Sequence, residues 1–223
     1  MAALETIEAE SGPHPQASIL ILHGLGADGN DFVPVAQELD LDALGPVRFI
    51  FPHAPVMPVT INGGYRMRAW YDILGTEMQG VQDEAGLRRS RDMVEALLAR
   101  EEERGIPANR IVLAGFSQGC AMSLLTGLRH AERLAGIAGL SGYLPLAETT
   151  ERERSAANLQ TPIFLAHGSF DDVVIPERGT ATRNALQALG YEVEWHEYPM
   201  GHSVSMEEIR DLNTWLVKVL GAH

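Results

Sequence analysis

A single cysteine, Cys120, leaves no internal disulfide on which this chain of 223 residues could fold. Its stability must come from a buried apolar core, and the scarcity fits a reducing compartment. Basic residues are also few: 17 Lys and Arg stand against 30 Asp and Glu, a formal charge of −13. With no Lys/Arg cluster and no interleaved aromatics, no basic face is offered to phosphate backbones, and nucleic acid is excluded as a partner. The same charge disfavours adhesion to anionic lipid surfaces. No apolar run approaches the roughly 20 residues of a membrane span, which excludes stable membrane insertion. The N-terminus is acidic and carries neither the basic start nor the apolar stretch of a secretory signal, so a cytoplasmic protein is expected. Internal repeats and low-complexity tracts are absent.

What is present is a chain 45% hydrophobic, of a length suited to one domain. Residues 1–223 are read as that domain, with 1–16 a poorly packed N-terminal extension. Val- and Ile-rich runs at 18–22, 47–51, 110–114, 134–140, 162–166 and 192–197 lack polar alternation, as buried parallel strands do. Between them, residues 82–104, 120–128, 177–189 and 206–220 carry apolar side chains at helical spacing. Alternation of this kind predicts an α/β fold with a mostly parallel central sheet flanked by helices. Two stretches fit neither pattern. Residues 54–80 hold several prolines and glycines but also Met57, Ile61, Tyr65, Trp70 and Tyr71, too apolar for a free linker, so they should pack over something. Residues 144–159 are highly charged and read as a solvated excursion too short for a cap domain, which leaves the site open.

The chemistry is concentrated in a few turns. Gly115-Phe-Ser117-Gln-Gly119 joins a buried strand to a helix, a G-x-S-x-G nucleophile elbow in the context the motif requires. A serine hydroxyl at neutral pH needs a base beside it, itself held in one tautomer by a carboxylate. Downstream, Asp171 and Asp172 follow one strand and His202 follows the next, the order nucleophile, acid, histidine of α/β-hydrolases. Spacing alone does not choose between the two aspartates. Negative charge on the acyl oxygen calls for two backbone N–H donors. Gln118, directly after the serine, should supply one, and Leu25 in the glycine-rich turn His23-Gly-Leu25-Gly the other. A phosphate loop would end in G-K-[ST], which is missing here. His23, His53, His167 and His202 could gather near strand ends, but with no H-x-x-x-H pair and no Cys/His spacing of zinc type, no metal site is expected. Cys120 lies inside the following helix and reads as a buried structural thiol.

Taken in order, His23-Gly-Leu-Gly-Ala-Asp-Gly, Pro52-His-Ala-Pro, Trp70-Tyr-Asp72, the elbow, Ser141-Gly-Tyr-Leu-Pro145, His167-Gly-Ser-Phe-Asp171 and Gly201-His-Ser resemble the phospholipase/carboxylesterase family that includes acyl-protein thioesterases, its bacterial carboxylesterase branch most closely. The resemblance implies an α/β-hydrolase fold with no cap domain, no cofactor, and a Ser117–Asp171–His202 triad in which Asp172 is not catalytic. It also implies oxyanion donors at Leu25 and Gln118, an acyl slot walled by residues 56–74 with substrate contacts at Trp70, Ile73 and Leu74, and a homodimer as in bacterial relatives. Members of that family act on small esters, lysophospholipids or protein thioesters, and the motifs are common to all three.

The expected activity is hydrolysis of carboxylic esters and acyl thioesters, of short to medium chain, through an acyl-enzyme on Ser117, the partner being a small ester or acylated substrate. Two rival readings are weaker. A non-catalytic hydrolase-like binding protein would commonly lack one of the three side chains, and a small serine peptidase would want a larger substrate-positioning domain than this length leaves room for.

Overall fold

The computed structural model describes residues 4–75 and 81–221. In chain order its elements are β1 (Thr6–Glu10), β2 (Ala17–Leu22), α1 (Val33–Gln37), β3 (Val47–Pro52), β4 (Val56–Val59), β5 (Tyr65–Arg68), α2 (Glu84–Glu103), β6 (Ile111–Phe116), α3 (Gln118–Gly127), β7 (Gly136–Leu140), α4 (Ala147–Glu153), β8 (Ile163–Gly168), α5 (Pro176–Ala188), β9 (Val193–Tyr198) and α6 (Met206–Gly221). Seven strands form one sheet in the order β1-β3-β2-β6-β7-β8-β9. Every pairing in it is parallel except that of β1 with β3.

Strand period divides the core into two layers. Leu20 and Leu22 of β2, with Ile111 and Leu113 of β6, face a cluster completed by Leu87, Val94 and Leu98 of α2, Met122 and Leu124 of α3 and Leu186 of α5. Their neighbours Ile19, Ile21, Val112 and Ala114 face the other way, onto Phe32 and onto Leu212, Trp215 and Leu216 of α6. Both faces of the sheet are therefore covered, which is why its strands are apolar without alternation. Helix α2 starts where Asp83 accepts a hydrogen bond from the Gly86 N–H at 2.9 Å. A Cβ on Gly86 would meet the Asp83 carboxylate where it now lies, so glycine there lets the carboxylate sit close over the first turn.

One expectation is corrected, and the two stretches left unassigned take on structure. The stretch read as a loose extension, residues 1–16, supplies β1 from 6 to 10, paired along its length with β3; residues 1–3 lie outside the described residues. The unassigned connection contains the hairpin β4–β5, closed through Gly63 and Gly64, both at positive φ. Its residues 76–80 lie outside the described residues. The charged excursion folds as α4, of which only Thr150 is buried. Among the described residues no helix is long and apolar enough to cross a membrane, and no element forms a cap over the sheet.

Candidate active site

The site assembles at the C-terminal edge of the sheet, where ligands of open α/β sheets bind. Ser117 stands between β6, the middle strand of the seven, and α3. Its backbone is held at φ 56° and ψ −117°, a strained conformation for a residue with a side chain. The turn is tight enough to dictate its glycines. A Cβ on Gly115 would lie 2.2 Å from the Gly119 carbonyl oxygen, and one on Gly119 would lie 1.9 Å from that of Leu22. Hydrogen bonds from the Ser117 N–H to the Leu140 carbonyl at 2.9 Å, and from the Ala121 N–H to the Ser117 carbonyl at 3.2 Å, fix the turn to β7 and to the helix it opens.

His202 lies on the loop between β9 and α6. Its Nε2 is 3.0 Å from the Ser117 hydroxyl and its Nδ1 is 2.7 Å from Asp171 Oδ2. Because a carboxylate can only accept, the Nδ1 side carries the proton and Nε2 is left to accept from the serine. The ring also packs on Phe116, centroids 4.7 Å apart. Asp171 is buried, and its other oxygen accepts from the N–H groups of Val173 at 2.9 Å and Val174 at 2.8 Å. His167 braces that turn by donating to the Val174 carbonyl at 2.7 Å. Asp172 is exposed on the cleft wall, and it is Asp171 that the structure joins to the histidine.

Leu25 and Gln118 line, together with Ser117, a cleft of about 560 Å³. Gly24 lets the Leu25 turn approach, since a Cβ there would already lie 3.3 Å from that of Ser117. Of the three expected substrate contacts, Ile73 and Leu74 line the cleft. Trp70 does not, and that expectation is corrected: its indole is 1% exposed and donates to the His23 carbonyl at 2.9 Å. Ile61 and Tyr71 also line the cleft, within the stretch 56–74 expected to wall it, whereas sequence reasoning missed Val81, Val173 and Tyr143, whose hydroxyl pairs with that of Tyr71 at 2.7 Å. Tyr143 sits in the Ser141-Gly-Tyr motif, a signal that could have found it.

The histidines weighed as metal ligands are engaged elsewhere. His23 donates through Nδ1 to the Gly24 carbonyl and accepts at Nε2 from the Ala54 N–H, and burial lowers its pKa. His53 accepts from the Gly29 N–H. Burial pushes the Cys120 thiol up to about 12, which keeps it protonated and unreactive.

A mostly parallel sheet of this order, with a serine on the turn after its middle strand, defines an α/β-hydrolase. A model of the phospholipase/carboxylesterase family matches residues 2–220. Acyl-protein thioesterase 1 of Yarrowia lipolytica is 42% identical over 205 residues, 90% of either chain. The crystal structure of Zea mays acyl-protein thioesterase 2 superposes with a TM-score of 0.86 at 31% identity, covering 97% of this chain and 99% of that one. The Bacillus cereus carboxylesterase, at 22% identity and a TM-score of 0.77 over 98% and 95% of the two chains, shares the fold. The chain belongs to the phospholipase/carboxylesterase family of α/β-hydrolases. It is a serine hydrolase of the class that acts on esters and thioesters.

Proposed function

We propose that the chain hydrolyses acyl esters and acyl thioesters through a covalent acyl-enzyme on Ser117. The observation that carries this reading is the unbroken hydrogen-bonded line Ser117 Oγ, His202, Asp171 at the mouth of the cleft. In the first half-reaction Ser117 attacks the acyl carbon while His202 Nε2 takes the hydroxyl proton. Asp171, holding Nδ1–H, keeps the ring in place and stabilises it when charged. The N–H groups of Leu25 and Gln118 take the developing negative charge of the acyl oxygen. His202 then gives its proton to the leaving alcohol or thiol, and water repeats the attack to release the acid. No cofactor enters these steps.

The substrate is an acylated molecule of short to medium chain, its acyl group lying along Ile61, Ile73, Leu74 and Val81. Thioester substrates are supported by the similarity to acyl-protein thioesterases, whose names state that activity for those proteins. A cytoplasmic location is supported by the single, buried cysteine. A homodimer is supported by apolar side chains left exposed, among them Tyr65 at 69% and Phe170 at 70%.

The test is hydrolysis of p-nitrophenyl esters from acetate to palmitate, beside a panel of acyl thioesters, by the unmodified chain and by Ser117→Ala. The variant is expected to lose about four or more orders of magnitude in kcat, with a rate maximum at short to medium chain lengths in the unmodified protein. Turnover that survives in Ser117→Ala would sink the mechanism.

A further inference from the structure

Residues 68–71 run from the last residue of β5 toward α2, and contribute no atom to the line of Ser117, His202 and Asp171. Their hydrogen bonds nevertheless run to both of the segments that carry the oxyanion donors. On one side, the indole Nε1–H of Trp70 donates to the His23 carbonyl at 2.9 Å, and the Gly26 N–H donates to the Arg68 carbonyl at 2.8 Å. Leu25 stands between those two anchored residues. On the other side, the backbone N–H of Trp70 donates to Gln118 Oε1, and Gln118 Nε2 donates to the Tyr71 carbonyl, both at 3.0 Å. The Ser90 hydroxyl donates to the Trp70 carbonyl and ties the whole strap to α2. The indole ring also rests on the His23 imidazole, centroids 5.4 Å apart.

Every polar group of Trp70 is thus committed, and its side chain is 1% exposed. A buried tryptophan needs a partner for its N–H, but any carbonyl would serve that need. Here the partner is the residue two before Leu25, while the backbone of the same tryptophan holds the side chain of the residue after the nucleophile. An oxyanion hole works only if both N–H groups are aimed before charge develops, so the distance between their two loops is a quantity the fold must fix.

We propose that Trp70 is a positioning residue that sets the spacing of the Leu25 and Gln118 N–H groups, bridging their loops through its indole and its own backbone. The proposal rests on the acyl-enzyme reading above. It assigns to the side chain of Gln118 a second task, that of anchoring the slot wall to the elbow. It also accounts for a tryptophan beside the cleft that touches none of the substrate space.

The variant Trp70→Phe keeps an aromatic ring in place and removes the indole N–H. With the p-nitrophenyl ester the protein favours, kcat is expected to fall about 10-fold while KM stays within about twofold, because the donors are misplaced only for the charged oxygen of the transition state. An alkyl trifluoromethyl ketone, which forms a tetrahedral oxyanion adduct with the serine, should bind more weakly by a similar factor. Gln118→Met removes the other half of the bridge and should show the same split, and the double variant should lose less than the product of the single losses. Melting temperatures confirm that each variant is folded, and Gln118→Met carries the test if Trp70→Phe is not. A residue that merely packs would lower the melting temperature and leave kcat and the ketone affinity unchanged; that result, or losses that multiply, overturns the proposal. Failure of the acyl-enzyme reading is seen separately, as an unmodified chain that neither turns over esters nor binds the ketone.

Discussion

At the scale of single residues, two adjacent aspartates have unlike surroundings. Asp171 is buried and gives one oxygen to His202 and the other to two backbone N–H groups, while Asp172 is exposed on the cleft wall. Asp171→Asn keeps the shape but offers an amide N–H where the imidazole needs an acceptor, so His202 turns its basic nitrogen the wrong way. A fall of about 10⁴-fold in kcat is expected, against less than about tenfold for Asp172→Asn, both read by steady-state ester hydrolysis. Equal losses would move the acid assignment. The residues around the two aspartates did not choose between them, and only the family resemblance did; the elbow was legible because the chemistry of a turn is local, a serine between two glycines after an apolar strand declaring its geometry. Trp70 was misread for the opposite reason. The direction of its indole depends on a carbonyl 47 residues away, and the place of its backbone on a glutamine 48 residues away, neither of which leaves a trace beside it in the sequence.

The same contrast holds for whole elements. Strands buried on both faces and helices with one apolar stripe were readable, because burial imposes a period. β1 (Thr-Ile-Glu-Ala-Glu) is an edge strand with three exposed residues, β4 and β5 form a ribbon mostly outside the core, and α4 buries only a threonine. None had a period to show. Helix α6 was readable, but the tension in its first turn was not. Ser205 and Glu208 cap it reciprocally: the Glu208 N–H donates to the Ser205 hydroxyl at 3.1 Å, and the Ser205 N–H points to the Glu208 carboxyl at 3.4 Å. Glu208 is fully buried, and burial pushes its pKa from 4.5 up to about 8, more than the Ser205 hydrogen bond lowers it. Between those values the folded chain holds a proton that the unfolded chain has released. The contribution is therefore fully present below 4.5 and declines as pH rises toward 8. Glu208→Gln retains an acceptor for the Ser205 N–H and does not titrate. Its melting temperature should exceed that of the unmodified protein by on the order of 5 °C at alkaline pH, the gap closing toward pH 5. Melting curves that differ by a constant amount at every pH would show that Glu208 does not titrate in this range.

For the molecule as a whole, the sheet separates two jobs by its two edges. Ser117, Asp171, His202 and Leu25 all follow the C-terminal ends of strands, and the opposite edge is held by charge. There Glu101 of α2, with no exposed surface, accepts from the Ser18 hydroxyl at 2.7 Å, from Arg48 at 2.8 Å and from Arg104 at 2.8 Å. Arg48 also reaches Glu10, and Arg100 and Arg104 reach Glu8, so one network joins β1, β2, β3 and α2. The exposed pairs contribute little singly, but removing the central carboxylate would leave Arg48 buried without its inner partner. Glu101→Gln keeps the volume and one acceptor and removes the charge. Unfolding in urea should show a loss of about 3 kcal/mol, while kcat at temperatures where the variant is folded should be unchanged, since nothing at the far edge is coupled to the oxyanion loops. A variant that unfolds normally, or one that is fully folded yet slow, would contradict this division of the sheet: the first because the network would then be ornamental to stability, the second because it would have to reach through β2 to Leu25.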